Sequence, residues 1–599
     1  MVDDEVLGKA YDGRLMRRLL EYLQPYRRSV GIALVAIAGH SLMQLVQPLL
    51  TRMAIDQHIL TGNLTGLDRI VFGYAVILLG SFGLEYLETY TMQMMGQRIM
   101  FDLRRDIYAH LQRLDVRFFD RNPVGRLMTR VTTDVDALND LFASGVISAC
   151  RDVLTLVGIM AILTVMDWRL ALVAFSVLPL IVIVTQWFRI HARASYREVR
   201  RWIARINSTL QENITGMTTV QLYGREPRNF LLFDEVNRQH RDANLDSIHY
   251  YAAFYPAIEL IGASASAMII WWGGGWAMEG TLTLGSLVAF LQYVQRFFRP
   301  ISDLSEKFNI LQSAMASSER IFDLLDTPVA VTDPDPALAP RMHPTGSISF
   351  EHVWFAYRES DYVLRDVSFT VEAGERVGIV GATGAGKTTL INLLLRFYDV
   401  SRGRVTVGGA DVREMPLSRL RGLFGLVLQD VYLFSGTIRE NIAFGQARSG
   451  PGTDHELPFL PREIEDAARH VHADEFIARL PRGFDSPVAE RGGTLSVGQK
   501  QLLSFARALA AKPEVLILDE ATSSVDTDTE LLIRDALKTL MRGRTTVAIA
   551  HRLSTVQDMD RILVFHHGEL RESGTHQELL AMRGIYYRLY QLQYKDQTR

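Results

Sequence analysis

The chain has 599 residues, 48% of them hydrophobic and 22% charged, and 64 basic against 67 acidic side chains leave a formal net charge of −3. That balance lacks the clustered basic excess of a nucleic-acid-binding protein, so no nucleic-acid partner is expected. The single cysteine, Cys150, excludes an internal disulfide framework and a cysteine-based zinc site.

Residues 1–28 do not read as a secretory signal. Leu15, Leu19, Leu20 and Leu23 fall at helical spacing among Arg14, Arg17, Arg18, Arg27 and Arg28, which predicts a basic amphipathic elbow helix on the cytoplasmic membrane face. Over 29–326 the sequence predicts an all-α transmembrane domain. Its apolar stretches lie near 30–53, 70–95, 142–166, 170–190, 250–278 and 284–306, each close to the ~20 residues that cross a bilayer. Pro48, Pro179 and Pro256 are expected inside these six helices, where neighbours can satisfy the freed carbonyls.

The connections after the first, third and fifth spans are short. Those after the second and fourth are roughly fifty residues long and Arg-rich, from Arg98 to Arg130 and from Arg189 to Arg205. The positive-inside rule puts the long connections and both termini in the cytoplasm, and the expected location is the bacterial cytoplasmic (inner) membrane. If the spans continue as helices, 20 further residues project the chain ~30 Å beyond the bilayer. Glu85, Glu88, Arg151, Glu259 and Arg296 fall within or near the spans, where a charge costs at least ~2.5–3.5 kcal/mol. Two readings stand: a polar substrate path, or internal ion pairs and headgroup-level positions.

Residues 327–346 hold five prolines and read as a linker. From 347 to 599, short Val/Ile/Leu runs bounded by glycine alternate with helical stretches, as in an α/β P-loop nucleotide-binding domain. Gly381-Ala382-Thr383-Gly384-Ala385-Gly386-Lys387-Thr388 matches GxxxxGK[ST] in full, with Thr389 following. A strand-like run, Arg376 to Val380, precedes it and a helix start follows. Such glycines let backbone amides close around phosphates, Lys387 neutralises them and Thr388 can hold magnesium, so ATP and Mg2+ are the expected cofactors. The run Val515 to Leu518 ends in Asp519 and Glu520. A buried strand that delivers carboxylates beside phosphates suits a magnesium site, with Asp519 holding the metal through water and Glu520 polarising the attacking water. Between them, Ser496, Gly498 and Gln499 in LSVGQ open a helix and can bind an anion, though alone this is also an ordinary helix cap.

These motifs, in this order, resemble the nucleotide-binding domain of an ATP-binding cassette (ABC) transporter, and residues 10–595 resemble an ABC exporter half-transporter of the multidrug-resistance and lipid A exporter type. The resemblance implies further roles: Tyr357 stacking on adenine, Gln429 contacting magnesium and water, Asp526 in the D-loop and His551 at the γ-phosphate. It also implies that Glu490 meets a connection from the membrane half, and that each ATP is held between one chain's P-loop and a second half-transporter's signature.

Val497 stands where the family usually has glycine, but Ser496 and Gly498 remain. Residues 447–463 form an extra Gly/Pro-rich segment. The tail and LSVGQKQLL are similar to the B-type subunit of bacterial paired multidrug exporters, which slightly favours a heterodimer over a homodimer. The expected activity is ATP-driven export of amphipathic compounds (drugs, peptides or lipids). A lipid floppase or flippase is the alternative, and an ATP-gated channel or regulator is a rival of another class. A peptide exporter with a processing protease is disfavoured, because no Cys/His peptidase pattern precedes the first span. Six spans exclude a DNA-repair ATPase.

Overall fold

A helix rises about 1.5 Å per residue and a hydrocarbon core is about 30 Å thick, so long apolar runs continued by polar helix-forming residues make rods that outreach a bilayer. The computed structural model describes residues 12–62, 65–335, 346–358, 361–446, 461–519, 527–550 and 556–597. Its contacts divide the chain into two units, Met1–Gln112 with Val124–Thr327, and Arg113–Pro123 with Pro328–Arg599.

The first unit is helical. Leu67–Leu111 is one helix of 45 residues and Glu226–Met278 one of 53, about 70 and 80 Å long. Among the described residues, five helices are long and apolar enough to cross a membrane: Gln24–Ile59, Leu67–Leu111, Val124–Met166, Trp168–Thr215 and Glu226–Met278. Only 6–28% of their apolar windows is buried within the unit, so most of that surface is free to meet lipid or another subunit. The sixth expected span lies in the 42-residue helix Leu284–Leu325. Gln292, Gln295, Arg296 and Arg299 interrupt its apolar run.

Pro179 departs from its expected place inside a helix. The fourth span breaks after Trp168–Phe175 and restarts as Leu178–Thr215 with Pro179 in its first turn, where a missing N–H costs no helical hydrogen bond. Pro48 and Pro256 do lie inside helices. Near the N-terminus, Asp12 caps the helix Gly13–Glu21. Arg18 of that helix grips Asp326 through two 2.6 Å hydrogen bonds and lies 4.3 Å over the Phe322 ring.

Among the described residues the second unit carries twelve strands: β1 (Ile348–Ala356), β2 (Tyr362–Val371), β3 (Arg376–Gly381), β4 (Arg402–Val407), β5 (Ala410–Asp411), β6 (Phe424–Val427), β7 (Gly436–Thr437), β8 (Pro487–Val488), β9 (Val515–Asp519), β10 (Thr545–Ile549), β11 (Arg561–His566) and β12 (Glu569–Gly574). A four-stranded antiparallel sheet runs β2-β1-β4-β5, a six-stranded sheet runs β12-β11-β3-β10-β9-β6, and β7 pairs with β8. In the larger sheet β11, β3, β10, β9 and β6 are parallel. Their near-continuous apolar runs are what burial on both faces demands: all five residues of β10 are buried, as are Val515 to Leu518. Between the sheets pack Val377, Ile379, Leu390, Val405 and Phe565. The other face packs on the helix Val497–Ala510 and its neighbours through Leu516, Leu518, Leu503 and Phe505.

The segment between β6 and β7, residues 428–435, has no ladder, so its backbone polar groups need other partners. Asn441 supplies them. Its Oδ1 accepts from Phe434 N at 2.9 Å, and its Nδ2 donates to the carbonyls of Phe434 and Thr437 at 2.8 and 3.0 Å. Arg507 seals the segment by donating to the carbonyls of Asn441 and Tyr432, both at 2.9 Å, and to Asn441 Oδ1 at 3.0 Å. Burial holds the Arg507 guanidinium below its ordinary pKa range, though such a group stays charged. Asn441→Ala strands buried donors and acceptors, which costs about 1–3 kcal/mol. A thermal melt of the full-length protein should show the second unit unfolding several degrees lower, and an unchanged transition would refute the role of this clasp.

Candidate functional site

Parallel strands that share a direction also share a carboxyl edge, and loops leaving that edge converge. Register places the candidates along it. Ile549 of β10 pairs with Ile379 of β3 on one side and Asp519 of β9 on the other, and Leu518 pairs with Val427 of β6. Three candidate segments therefore leave one edge at similar height: the loop after β3, Asp519 at the end of β9, and Gln429 two residues beyond β6. Gln429 is exposed and Asp519 half-buried. Glu520, Asp526 and His551 lie outside the described residues, although Glu520 follows Asp519 directly and His551 follows Ala550, whose N–H donates to Ile379 O at 3.2 Å.

The loop from Gly381 to Gly386 enters the helix Lys387–Leu394. A Cβ on Gly381 would stand 2.4 Å from the Phe565 carbonyl oxygen, so no side chain fits there. Gly386, the N-cap, has φ +94°, and a Cβ there would meet Leu364 at 2.7 Å. Both positions need glycine for sterics and conformation. Ala382, Thr383 and Gly384 form an exposed crown, whereas Ala385 is buried. Lys387 is 5% exposed, and its Nζ donates to the carbonyls of Gly381 (2.8 Å) and Ala382 (3.1 Å) at the loop's mouth. Thr388 is exposed. Thr389 turns inward, its hydroxyl 3.2 Å from that of Tyr357.

Tyr357 is half-buried beside the same helix. Its hydroxyl also accepts from Asn392 Nδ2 at 3.3 Å, and its ring stands edge-on to Phe355 and Tyr398 at 4.8 and 5.1 Å. Nothing in the motifs pointed to Tyr398, Asn392 or Asn441. Their signal would be polar or aromatic side chains beside the P-loop helix and the Gln429 loop, visible once the strands are aligned.

Ser496 and Gln499 are bonded to each other. Ser496 Oγ accepts from Gln499 N at 3.2 Å, and Gln499 Oε1 accepts from Ser496 N at 3.0 Å, a reciprocal cap on the helix Val497–Ala510. Gly498 is buried in its first turn, while Val497 is exposed, so the bulkier residue points away from the cap's packing. Glu490 is exposed. The segment 447–463 falls outside the described residues except for Pro461, Arg462 and Glu463, which start a helix.

In the helical unit the intramembrane charges separate into two groups. Glu88 is buried and accepts from Arg151 at 2.9 Å, and Asp152 pairs with Lys307. Arg296 donates to Gln44 O at 2.6 Å and Gln47 Oε1 at 2.7 Å. Glu85 and Glu259 are exposed on the surface of this single chain.

Comparison with known proteins agrees with this architecture. Residues 30–301 match the family described as ABC transporter transmembrane region, and residues 364–523 the family described as ABC transporter. The uncharacterized ABC transporter ATP-binding protein YknV of Bacillus subtilis is 39% identical over 99% of this chain and 96% of its own length. An ATP-dependent lipid A-core flippase of Syntrophus aciditrophicus is 36% identical over 97% of this chain and 95% of its own length. A fatty acid ABC transporter ATP-binding/permease protein of Mycobacterium tuberculosis is 42% identical over 82% of this chain and 76% of its own. The solved structure of a bacterial Atm1-family ABC exporter with ATP bound superposes with a TM-score of 0.75 at 29% identity, covering 95% of this chain and 98% of that one.

The chain belongs to the ABC transporter family, with a transmembrane region and an ATP-binding domain fused in one polypeptide. It is an integral membrane protein and an ATPase coupled to transport, of the ABC exporter class.

Lys387→Ala removes the cation at the loop's mouth, and Gly386→Ala puts a Cβ where the backbone is left-handed. Each should weaken ATP binding at least tenfold, about 1.4 kcal/mol, in equilibrium titration of the full-length protein with a fluorescent ATP analogue. Normal affinity in both variants would exclude this loop as the phosphate cradle.

Proposed function

We propose that this chain is one half of a dimeric exporter that hydrolyses ATP to move amphipathic substrates outward across the bacterial cytoplasmic membrane by alternating access, with both termini cytoplasmic. The observation that carries the reading is the convergence of the P-loop, Asp519 and Gln429 at one carboxyl edge, in a chain that also carries membrane-crossing rods.

In this reading Gly381 to Thr389 cradle the phosphates with backbone N–H groups, Lys387 neutralises them and Tyr357 stacks on adenine. Glu520 accepts the proton of the attacking water, Gln429 orients that water and His551 bonds the γ-phosphate. Ser496, Gly498 and Gln499 of the second half-transporter present a capped helix N-terminus to the same triphosphate. The oxygen donors of Thr388, Asp519 and Gln429 suit Mg2+, a hard cation, and the exposed Thr388 beside a glycine-built cradle leaves room for it. Bound there, the ion supplies positive charge against the phosphates.

A heterodimer is slightly favoured over a homodimer by the B-type character of LSVGQKQLL and the tail. The Arg-rich long connections support the cytoplasmic placement of the termini. A second reading, a lipid floppase or flippase, is favoured by relatives named as a lipid A-core flippase and a fatty acid transporter. Exposed Glu85 and Glu259 and the paired Glu88, Arg151 and Arg296 offer polar groups to a headgroup as readily as to a charged drug.

Glu520→Gln should retain ATP binding while lowering hydrolysis at least tenfold, roughly the smallest loss expected of a missing general base, and should abolish ATP-driven uptake into inside-out vesicles. Undiminished turnover in the purified assembly would overturn Glu520 as the base. Passive flux without accumulation against a gradient in the unsubstituted protein would overturn export in favour of a channel.

A further inference from the structure

One short piece of the chain's first half belongs by its contacts to the ATP-binding unit: Arg113–Pro123, which contains the helix Val116–Arg121. Asp115 caps that helix through Phe118 N at 3.1 Å, and its second oxygen accepts from Ala330 N at 3.1 Å. From the helix itself, Arg117 and Arg121 both donate to the main-chain carbonyl of Tyr357, at 3.4 and 3.2 Å. Asp120, between them in sequence, accepts a hydrogen bond from the hydroxyl of Tyr398.

Tyr398 is 7% exposed, and its ring abuts the edges of Tyr357 and Phe355 at 5.1 and 5.6 Å. Burial and the neighbouring Asp120 carboxylate both hold the Tyr398 phenol well above its ordinary range. It therefore remains a donor throughout the physiological pH range. Tyr357 is thus fixed at its hydroxyl by Thr389 and Asn392, along its ring edge by Tyr398, and at its own carbonyl by two guanidinium groups. The Arg117 and Arg121 contacts are individually weak because they are exposed, whereas the part-buried bond from Tyr398 to the Asp120 carboxylate is charge-assisted. Together they leave the ring little freedom to tilt, and stacking depends on tilt and offset.

We propose that Asp120 and Tyr398 are positioning residues for the adenine platform: with Arg117 and Arg121 they set the orientation of Tyr357, so that a segment inserted between two membrane-unit helices in sequence tunes affinity for the base of ATP. The proposal rests on the reading of Tyr357 as the residue that stacks on adenine. Its effect is confined to the base, since neither residue bonds the P-loop. A ligand with phosphates but no base should not feel it.

The test measures KM for ATP, kcat, and competitive inhibition by inorganic tripolyphosphate in the reconstituted full-length transporter. Tyr398→Phe keeps the ring and removes only the hydroxyl, and Asp120→Ala removes the acceptor. Each should raise KM about three- to tenfold while leaving kcat within about twofold, with tripolyphosphate inhibition unchanged. The double variant should be no worse than either single one. Asp120→Asn, whose amide oxygen still accepts from the phenol, should restore KM.

Tyr357→Ala serves as the reference. If it leaves KM unchanged, the adenine platform is itself wrong and the proposal falls with it. If it raises KM but Tyr398→Phe and Asp120→Ala do not, the platform stands and the proposed positioning role is refuted. A loss of tripolyphosphate inhibition in step with KM, or failure of Asp120→Asn to rescue, would also overturn it, because a general packing defect would then explain the effect.

Discussion

A triphosphate carries several negative charges, and the proposed cradle sets backbone dipoles against them at the end of a buried parallel sheet. β3, β10, β9 and β6 are packed on both faces, and their carboxyl ends are held level by continuous pairing. Because the interior is close-packed, these ends cannot drift relative to one another. The loop after β3, Asp519 and the segment that carries Gln429 all leave from those level ends. Gly381 and Gly386 then let the loop approach the Phe565 carbonyl and adopt a left-handed turn without strain.

The helical unit answers a different constraint. Charges that fall within apolar rods must find partners or reach polar surroundings. Glu88 with Arg151, Asp152 with Lys307, and Arg296 with two glutamine acceptors are solutions of the first kind. These contacts join helices that are far apart in sequence, so they also specify which helices pack together. Glu85 and Glu259, by contrast, remain exposed in this chain.

Much of this was legible beforehand, for local reasons. The P-loop could be read because strand, glycines and helix are contiguous, and five of six membrane helices because hydropathy is a property of a short window. The reciprocal cap formed by Ser496 and Gln499 sits within four residues. One placement differed in detail: Pro179 lies in the first turn of a helix rather than its interior, because the helix is interrupted at Ser176 and Val177. The sixth expected span falls in the helix Leu284–Leu325, whose polar residues make its apolar run the least continuous of the six. The anchors Asn441, Arg507 and Tyr398 escaped notice because their partners are distant, Arg507 by 66 residues from Asn441 and Tyr398 by 278 from Asp120.

By itself the sequence determined the class of machine: apolar runs of bilayer length, then a strand–loop–helix with full phosphate-binding chemistry, both dictated by local pattern. Only the tertiary structure decided which side chains share an edge, which charges neutralise one another, and that Arg113–Pro123 belongs with the ATP-binding unit. The physical reason is range. Hydropathy and turn chemistry act over a few residues, whereas register, ion pairing and ring packing depend on where the folded chain brings remote residues into contact.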